Sequence, residues 1–354
     1  MKRTIAVILA LVMVISMLAG CGGKAEESKA PASQTPASTA PEKAPASTAP
    51  TEEKFVLDFN TPFAAEGPAG KAAVEFAKEV EEKSGGTIKI NVFTDGALGN
   101  TNESWASLAS GDLDICILGQ EGIDAYAPEY AFLISPFLLQ DMDHVKAVLN
   151  SDIGEGLKQK YRDAGIETLS FHYRDVRVMA ADKEVTDSAD VTGLKLRLPG
   201  MKTFVEAWSA LGAVPTTVAM AELYTALQTG VAESCEGGYE QMVTLKIYEV
   251  QDYIINTEHE YEHTYLNINK DLFDSMSENQ QKILMECGQK WMAWADELSA
   301  SSREDYKQEC IDGGMTYLDF DKAPFVSALE SFHREQFETK WTAASYDDVM
   351  SYAK

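Results

Sequence analysis

The sequence predicts an α/β fold divided into two lobes. Strand-like and helix-like segments alternate from Phe55 onward. Roughly 300 residues run from Phe55 to Lys354, a length at which chains usually split into two cores. A helical pattern is sustained from Ser277 to Cys310; a helix of about 30 residues is roughly 45 Å long, enough to run across both lobes.

The first structured segment reads β-α-β. Phe55 to Phe59 has the apolar character of a strand. Ala73, Phe76, Ala77 and Val80 then recur at helical spacing, and Ser84-Gly85-Gly86 ends that helix. Ile88, Ile90 and Val92 alternate along a second strand. A short helix around Trp105 and a buried strand from Leu113 to Leu118 follow, and strands alternating with helices imply largely parallel pairing. Ile166 to Phe171 and Val176 to Ala180 are two further strands. Leu194, Leu196 and Leu198 alternate with Lys195 and Arg197; helices run from Lys202 to Leu211 and from Ala221 to Gln228. Leu284, Cys287, Trp291, Trp294, Ala295 and Leu298 mark one face of the long helix, which reads the two tryptophans as packing residues. A strand from Met315 to Phe320 and helices near Phe325–Phe337 and Tyr346–Tyr352 close the chain.

The N-terminus reads as an export signal. Lys2 and Arg3 precede an apolar run from Ile5 to Leu18, too short for a stable span, and Leu18-Ala19-Gly20-Cys21 supplies small residues before a cysteine. That junction resembles a bacterial lipobox, which implies cleavage of residues 1–20 and lipid on the Cys21 sulfur, tying the protein to a membrane. Residues 21–54 form an Ala/Pro/Ser/Thr-rich tether expected to stay disordered. The whole chain carries 30 basic and 56 acidic residues, a net −26; without Lys2 and Arg3 it is −28. Such a surface repels nucleic acid, and any anion site on it must be locally positive. Cys116, Cys235, Cys287 and Cys310 show no C-x-x-C spacing and read as buried free thiols.

One catalytic signature is present. His259-Glu260-Tyr261-Glu262-His263 matches the H-E-x-x-H pattern of a zinc hydrolase. That chemistry needs both histidines on one helix face. Here Ile254-Ile255 and Thr264 to Ile268 flank it with β-formers, and in a strand residues four apart are about 13 Å from each other. The motif therefore predicts no metal site, and nothing in the sequence predicts a cofactor; G-x-S-x-G, phosphate-loop and G-x-G-x-x-G patterns are absent. Arg197 stands opposite the three leucines of its strand, and the planar fork of arginine suits a carboxylate. Its alternative is a solvated surface charge.

Gly193 to Pro199, Leu211 to Thr216 and Glu222 to Gly230 resemble the solute receptors of tripartite ATP-independent periplasmic (TRAP) transporters, the DctP type. Glu82 to Ile90, Ala97-Leu98-Gly99, Gly111 to Asp114, Tyr248-Glu249-Val250, Asn267 to Lys270 and Gln280-Gln281-Lys282 extend the likeness over essentially all of 55–354. The resemblance implies a periplasmic-binding-protein-like fold with a ligand cleft between lobe I (55–174 and 263–302) and lobe II (175–262 and 303–354), braced by the long helix. It implies that Arg197 salt-bridges a ligand carboxylate, that Arg177 assists, and that Met220 packs on the ligand. Glu236 keeps the family's glutamate, whereas the usual asparagine is Gly237, so Tyr239 or Gln241 would have to supply that contact. Gln120 or Glu121 reaches in from lobe I. The implied protein is a receptor that does no chemistry: it binds a small organic acid and delivers it to TRAP membrane subunits. A receptor for an ATP-driven importer and a zinc hydrolase built on His259, Glu260 and His263 are the other readings.

Overall fold

The computed structural model describes residues 52–354; the signal segment, Cys21 and the tether through residue 51 lie outside the described residues. The last tether residues belong to the fold. Glu52 Oε1 accepts from Ser277 Oγ at 2.7 Å and Asn279 Nδ2 at 3.1 Å, and the Glu53 carbonyl accepts from Gln280 Nε2 at 2.8 Å.

The strands among the described residues are β1 (Phe55–Asn60), β2 (Ile88–Phe93), β3 (Ile115–Leu118), β4 (Ile166–Ala181), β5 (Lys195–Leu198), β6 (Val214–Thr217), β7 (Ser234–Gly238), β8 (Tyr253–Asn269) and β9 (Thr316–Leu318). They form one sheet in the order β2-β1-β3-β8-β4-β7-β5-β6, with β9 paired to β8. The outer strands pair in parallel, β1 with β2 and β3, β5 with β6 and β7. The centre is antiparallel: β8 pairs with β3 and with β4, and β4 with β7. The expectation of largely parallel pairing therefore fails at the centre of the sheet.

The two strands expected at 166–171 and 176–180 are one 16-residue strand. Arg174-Asp175 lies between the two apolar runs and interrupts them in sequence. Both side chains are buried, because Glu240, Glu262 and Arg303 pair with them. The register of β4 on β8 shifts between Tyr173 and Val176, where the charged pair enters.

One core packs helix Pro68–Lys83 and the first part of helix Glu278–Asp312 on β1, β2 and β3, through Phe59, Phe76, Ile117 and Leu284. The other gathers Trp105, Tyr265, Trp208, Phe325 and Leu196. The long helix has 35 residues, about 52 Å at 1.5 Å per residue. Its buried stripe includes Leu284, Gly288, Met292, Ala295 and Ser299, so it is rotated from the expected face, and Trp291 and Trp294 lie at its edge. The helix packs close on β4 and β8 at Gly288, where a Cβ would stand 3.0 Å from Leu266 Cδ2 and 3.4 Å from Leu169 Cβ. Cys116, Cys235, Cys287 and Cys310 are buried free thiols. No helix of the described residues is long and apolar enough to cross a membrane.

Candidate functional site

The loops leaving the carboxyl ends of β1, β2, β3, β5 and β6 converge on one cavity of about 470 Å³. Pro62-Phe63 follows β1, Asp95-Gly96 follows β2, Gly119 to Glu121 follows β3, Pro199 to Met201 follows β5, and Val218 to Glu222 follows β6. Open α/β sheets place ligands at such strand ends because the loops there are free to vary while the strands hold them. Arg174 and Arg177 of β4 and Glu262 of β8 supply the cavity's charged floor.

Arg197 lines this cavity and is 2% exposed, so its end of the strand's polar side faces the cavity, while Lys195 on the same side is exposed. Leu194, Leu196 and Leu198 are wholly buried on the other side, as the alternation predicts. Arg197 Nε and Nη2 donate to the Val218 carbonyl at 2.9 and 2.5 Å. No carboxylate of the described residues lies within salt-bridge distance of it. Every other arginine of the described residues has one: Arg162, Arg174, Arg177, Arg303 and Arg334. Burial consequently pulls the Arg197 pKa below its ordinary value, with nearby acids only partly opposing it. A buried guanidinium without a carboxylate partner is an uncompensated charge.

Arg177 also lines the cavity, with its fork largely occupied. Its Nε and Nη2 donate to the two Glu236 oxygens at 2.6 and 2.8 Å, and its Nη1 lies 3.2 Å from Glu262 Oε1. Glu236 itself is wholly buried and is not among the lining residues. It holds Arg177 from behind, one layer outside the lining, rather than in the cavity wall where the resemblance put it. Burial pushes the Glu236 carboxyl up, but Arg177 and His259 outweigh that and hold it at about 2.

Tyr239 is likewise off the cavity: its ring lies in the core and its hydroxyl donates to Asn256 Oδ1 at 3.0 Å. Gln241 lines the cavity instead. A Cβ built on Gly237 would fall 2.6 Å from Gln241 Nε2, so this amide occupies the space a side chain at 237 would need. Met220 and Gln120 are both in the lining, and Met220 packs against the core of β1 to β3.

Arg174 and Glu262 were not foreseen. Arg174 donates to Glu262 Oε1 and Glu240 Oε2, each at 2.8 Å, with its guanidinium 4.1 Å from the Phe63 ring centre. The available signal was the glutamate of the H-E-x-E-H segment. All of that segment lies in β8, not in a helix, and its residues wrap this site. Among the described residues no group of three or more His, Cys, Asp and Glu is placed to hold a metal ion. His259 Nε2 meets Glu236 Oε2 at 3.1 Å and its Nδ1 meets Thr257 Oγ1 at 2.8 Å. An ionised carboxylate only accepts, so Nε2 carries the hydrogen and the threonine hydroxyl donates to Nδ1. Gln120 Nε2 donates to Glu260 Oε1 at 2.7 Å and meets His263 Nδ1 at 3.0 Å.

Burial pushes the Glu260 carboxyl up to about 8, against the pull of Arg177. Its folded pKa is thus above the ordinary 4.5, and the native state holds this proton where the unfolded chain does not. Stability from this group is full below about 4.5 and falls as pH rises toward 8. Glu236 runs the other way: its contribution is present above 4.5 and is lost as pH falls toward 2. Urea midpoints at pH 5, 7 and 9 should therefore decline on the alkaline side for the wild type and decline less for Glu260→Gln. An equal alkaline decline in both would refute this assignment.

The model of the bacterial extracellular solute-binding protein family 7, DctP, matches residues 59–340. This chain belongs to that family. A solute-binding protein of Roseobacter denitrificans is 31% identical over 260 residues, 73% of this chain and 80% of its relative. The 2,3-diketo-L-gulonate-binding periplasmic protein YiaO of Escherichia coli is 28% identical over 270 residues, 75% of this chain and 82% of its own. A solved TRAP periplasmic solute-binding protein from Roseobacter denitrificans, with bound L-galactonate, superposes with a TM-score of 0.78 at 27% identity, covering 86% of this chain and all of that one. The two-lobed fold expected from the sequence is the fold of this family, and its members act outside the cytoplasm as solute receptors.

Proposed function

We propose that this DctP-family receptor captures a small organic acid in the cleft, holds its carboxylate on Arg197 and passes it to the membrane subunits of a TRAP transporter. The observation that carries the reading is Arg197 itself, buried in the cavity wall without a carboxylate while every other described arginine has one. Arg177 offers its remaining N–H groups beside it. The relatives named for 2,3-diketo-L-gulonate and holding L-galactonate support a sugar acid as the first class to try.

Lobe I would be 55–174 with 263–302 and lobe II 175–262 with 303–354. They would meet where β4 and β8 change register, and close by a hinge about those two strands. Thr203 Oγ1 donates to Asp124 Oδ1 at 2.7 Å and Thr203 N to Asp124 Oδ2 at 3.2 Å. These bonds cap helix Lys202–Ala210 of the second lobe with a residue of the first, as expected of a closed cleft. A thermal-shift screen against aldonates, uronates, C4-dicarboxylates, 2-oxo acids and sialic acids tests the reading. A ligand at about 100 times its Kd adds about 2.7 kcal/mol of stability. A panel in which no acid raises the melting temperature would refute it.

The receptor would be held at the membrane by lipid on Cys21, through the flexible tether. Cys21→Ala should leave the precursor unprocessed at this site, without attached lipid. Normal processing together with unchanged membrane partition of that variant would overturn the anchoring.

A further inference from the structure

Resting on the lobe division and the carboxylate anchor proposed above, we propose that Asp124 is a positioning residue for solute capture, which touches no solute and holds the cleft shut by capping a helix of the opposite lobe. Helix Lys202–Ala210 begins without a cap from its own segment. Its N-cap residue is Met201, whose side chain makes no capping bond, so the first N–H groups of the helix lack a local acceptor. The acceptor comes from 79 residues away: Asp124 Oδ2 accepts from the Thr203 N–H at 3.2 Å, and Oδ1 accepts from the Thr203 hydroxyl at 2.7 Å. Asp124 stands on helix Glu121–Tyr126 of the first lobe, and Thr203 on the first turn of its helix in the second.

The place of these bonds ties them to the site. Gly119, Gln120 and Glu121 line the cavity just before Asp124, and Pro199, Gly200 and Met201 line it just before Thr203. Asp124 and Thr203 are themselves outside the lining, so they join the two walls at the rim without reaching the solute. Asn102, also of the first lobe, meets the same turn: a Cβ on Gly200 would stand 2.7 Å from Asn102 Nδ2. The turn that follows Arg197 is therefore held from across the cleft at two points. When the lobes part, the Thr203 N–H and the Asp124 carboxylate return to water. The cap thus belongs to the closed form alone and favours it over the open one. A helix cap of this kind changes the open–closed ratio by about two- to thirtyfold, and the affinity for a solute held in the closed form changes with it.

Calorimetry and stopped-flow release with L-galactonate, D-glucuronate and succinate test this. For each probe that binds the wild type, Asp124→Ala should bind about two- to thirtyfold more weakly, with the loss lying in faster release. Asp124→Asn should bind close to the wild type, because its amide oxygen accepts from the Thr203 N–H and its amide hydrogens donate to the Thr203 hydroxyl. Wild-type affinity in Asp124→Ala, or equal losses in the two variants, overturns the proposal. Should none of the probes bind the wild type, the carboxylate reading loses its support, and the cap is decided without solute. The double variant Asp124→Cys, Thr203→Cys, treated with a two-carbon bis-methanethiosulfonate, should then gain one bridging adduct by intact mass, since the native cysteines of the described residues are buried. Two separate adducts on the folded protein would mean that these residues do not meet in solution, and would also overturn the proposal.

Discussion

Arg197→Met binds the cognate acid about two to three orders of magnitude more weakly than the wild type, while its ligand-free form unfolds later. Both effects follow from one fact: the guanidinium is 2% exposed and no carboxylate of the described residues pairs with it. With ligand present, deleting one member of a buried pair costs about 3–5 kcal/mol, which is the stated loss in affinity. Without ligand, the wild type keeps an uncompensated charge out of water. An apolar side chain of similar length removes that penalty and should add ~1 kcal/mol or more. Arg197→Lys keeps the charge and loses the fork, so it should also bind poorly. Calorimetry with the acid found by the screen, together with urea melts of the free proteins, reads both quantities. Wild-type affinity in Arg197→Met would show that the carboxylate sits elsewhere. Weak binding accompanied by lower stability would point to misfolding rather than to a lost anchor.

Glu236→Ala should destabilise the protein by about 3–5 kcal/mol, the cost of leaving a buried arginine without its partner. Arg177 loses both short bonds to Glu236, and His259 Nε2 loses its acceptor. Glu262 still meets Arg177 at 3.2 Å, and Glu260 lies 3.9 Å from it, too far for a hydrogen bond. Glu236→Gln keeps an acceptor but not the charge and should fall between the two. Because Glu236 lies behind the cavity wall, its loss should reach binding only through Arg177. A Glu236→Ala protein as stable as the wild type would mean that Arg177 is solvated in solution, contrary to its burial.

The β-α-β opening, the strand of Arg197, the strand through His259 to His263 and the long helix were legible because each rests on a local period. Side chains alternate along β5 whatever surrounds it, so Leu194, Leu196 and Leu198 had to face one way and Arg197 the other. The β-rich flanks of the H-E-x-E-H segment ruled out the helix that zinc chemistry needs. Resemblance brought Arg177, Gln120, Met220 and Gln241 into view, and all four line the cavity. It also brought Glu236 and Tyr239, which do not. Nothing local tells a residue in a cavity wall from one a layer behind it.

By itself, then, the sequence determined the β-α-β opening, the strand course of the H-E-x-E-H segment and the two faces of the strand that carries Arg197. Only the tertiary structure decided that the Arg197 end of that strand's polar side faces a cleft rather than water, and which arginine is left unpaired in it. Glu236 reaches Arg177 across 59 residues of chain and Glu262 reaches Arg174 across 88. A buried charge is defined by the whole set of partners around it, and that set is assembled by long-range pairing of β4, β7 and β8. Periodicity fixes where a side chain points. Its electrostatic meaning depends on what the rest of the fold places within a few ångströms of it.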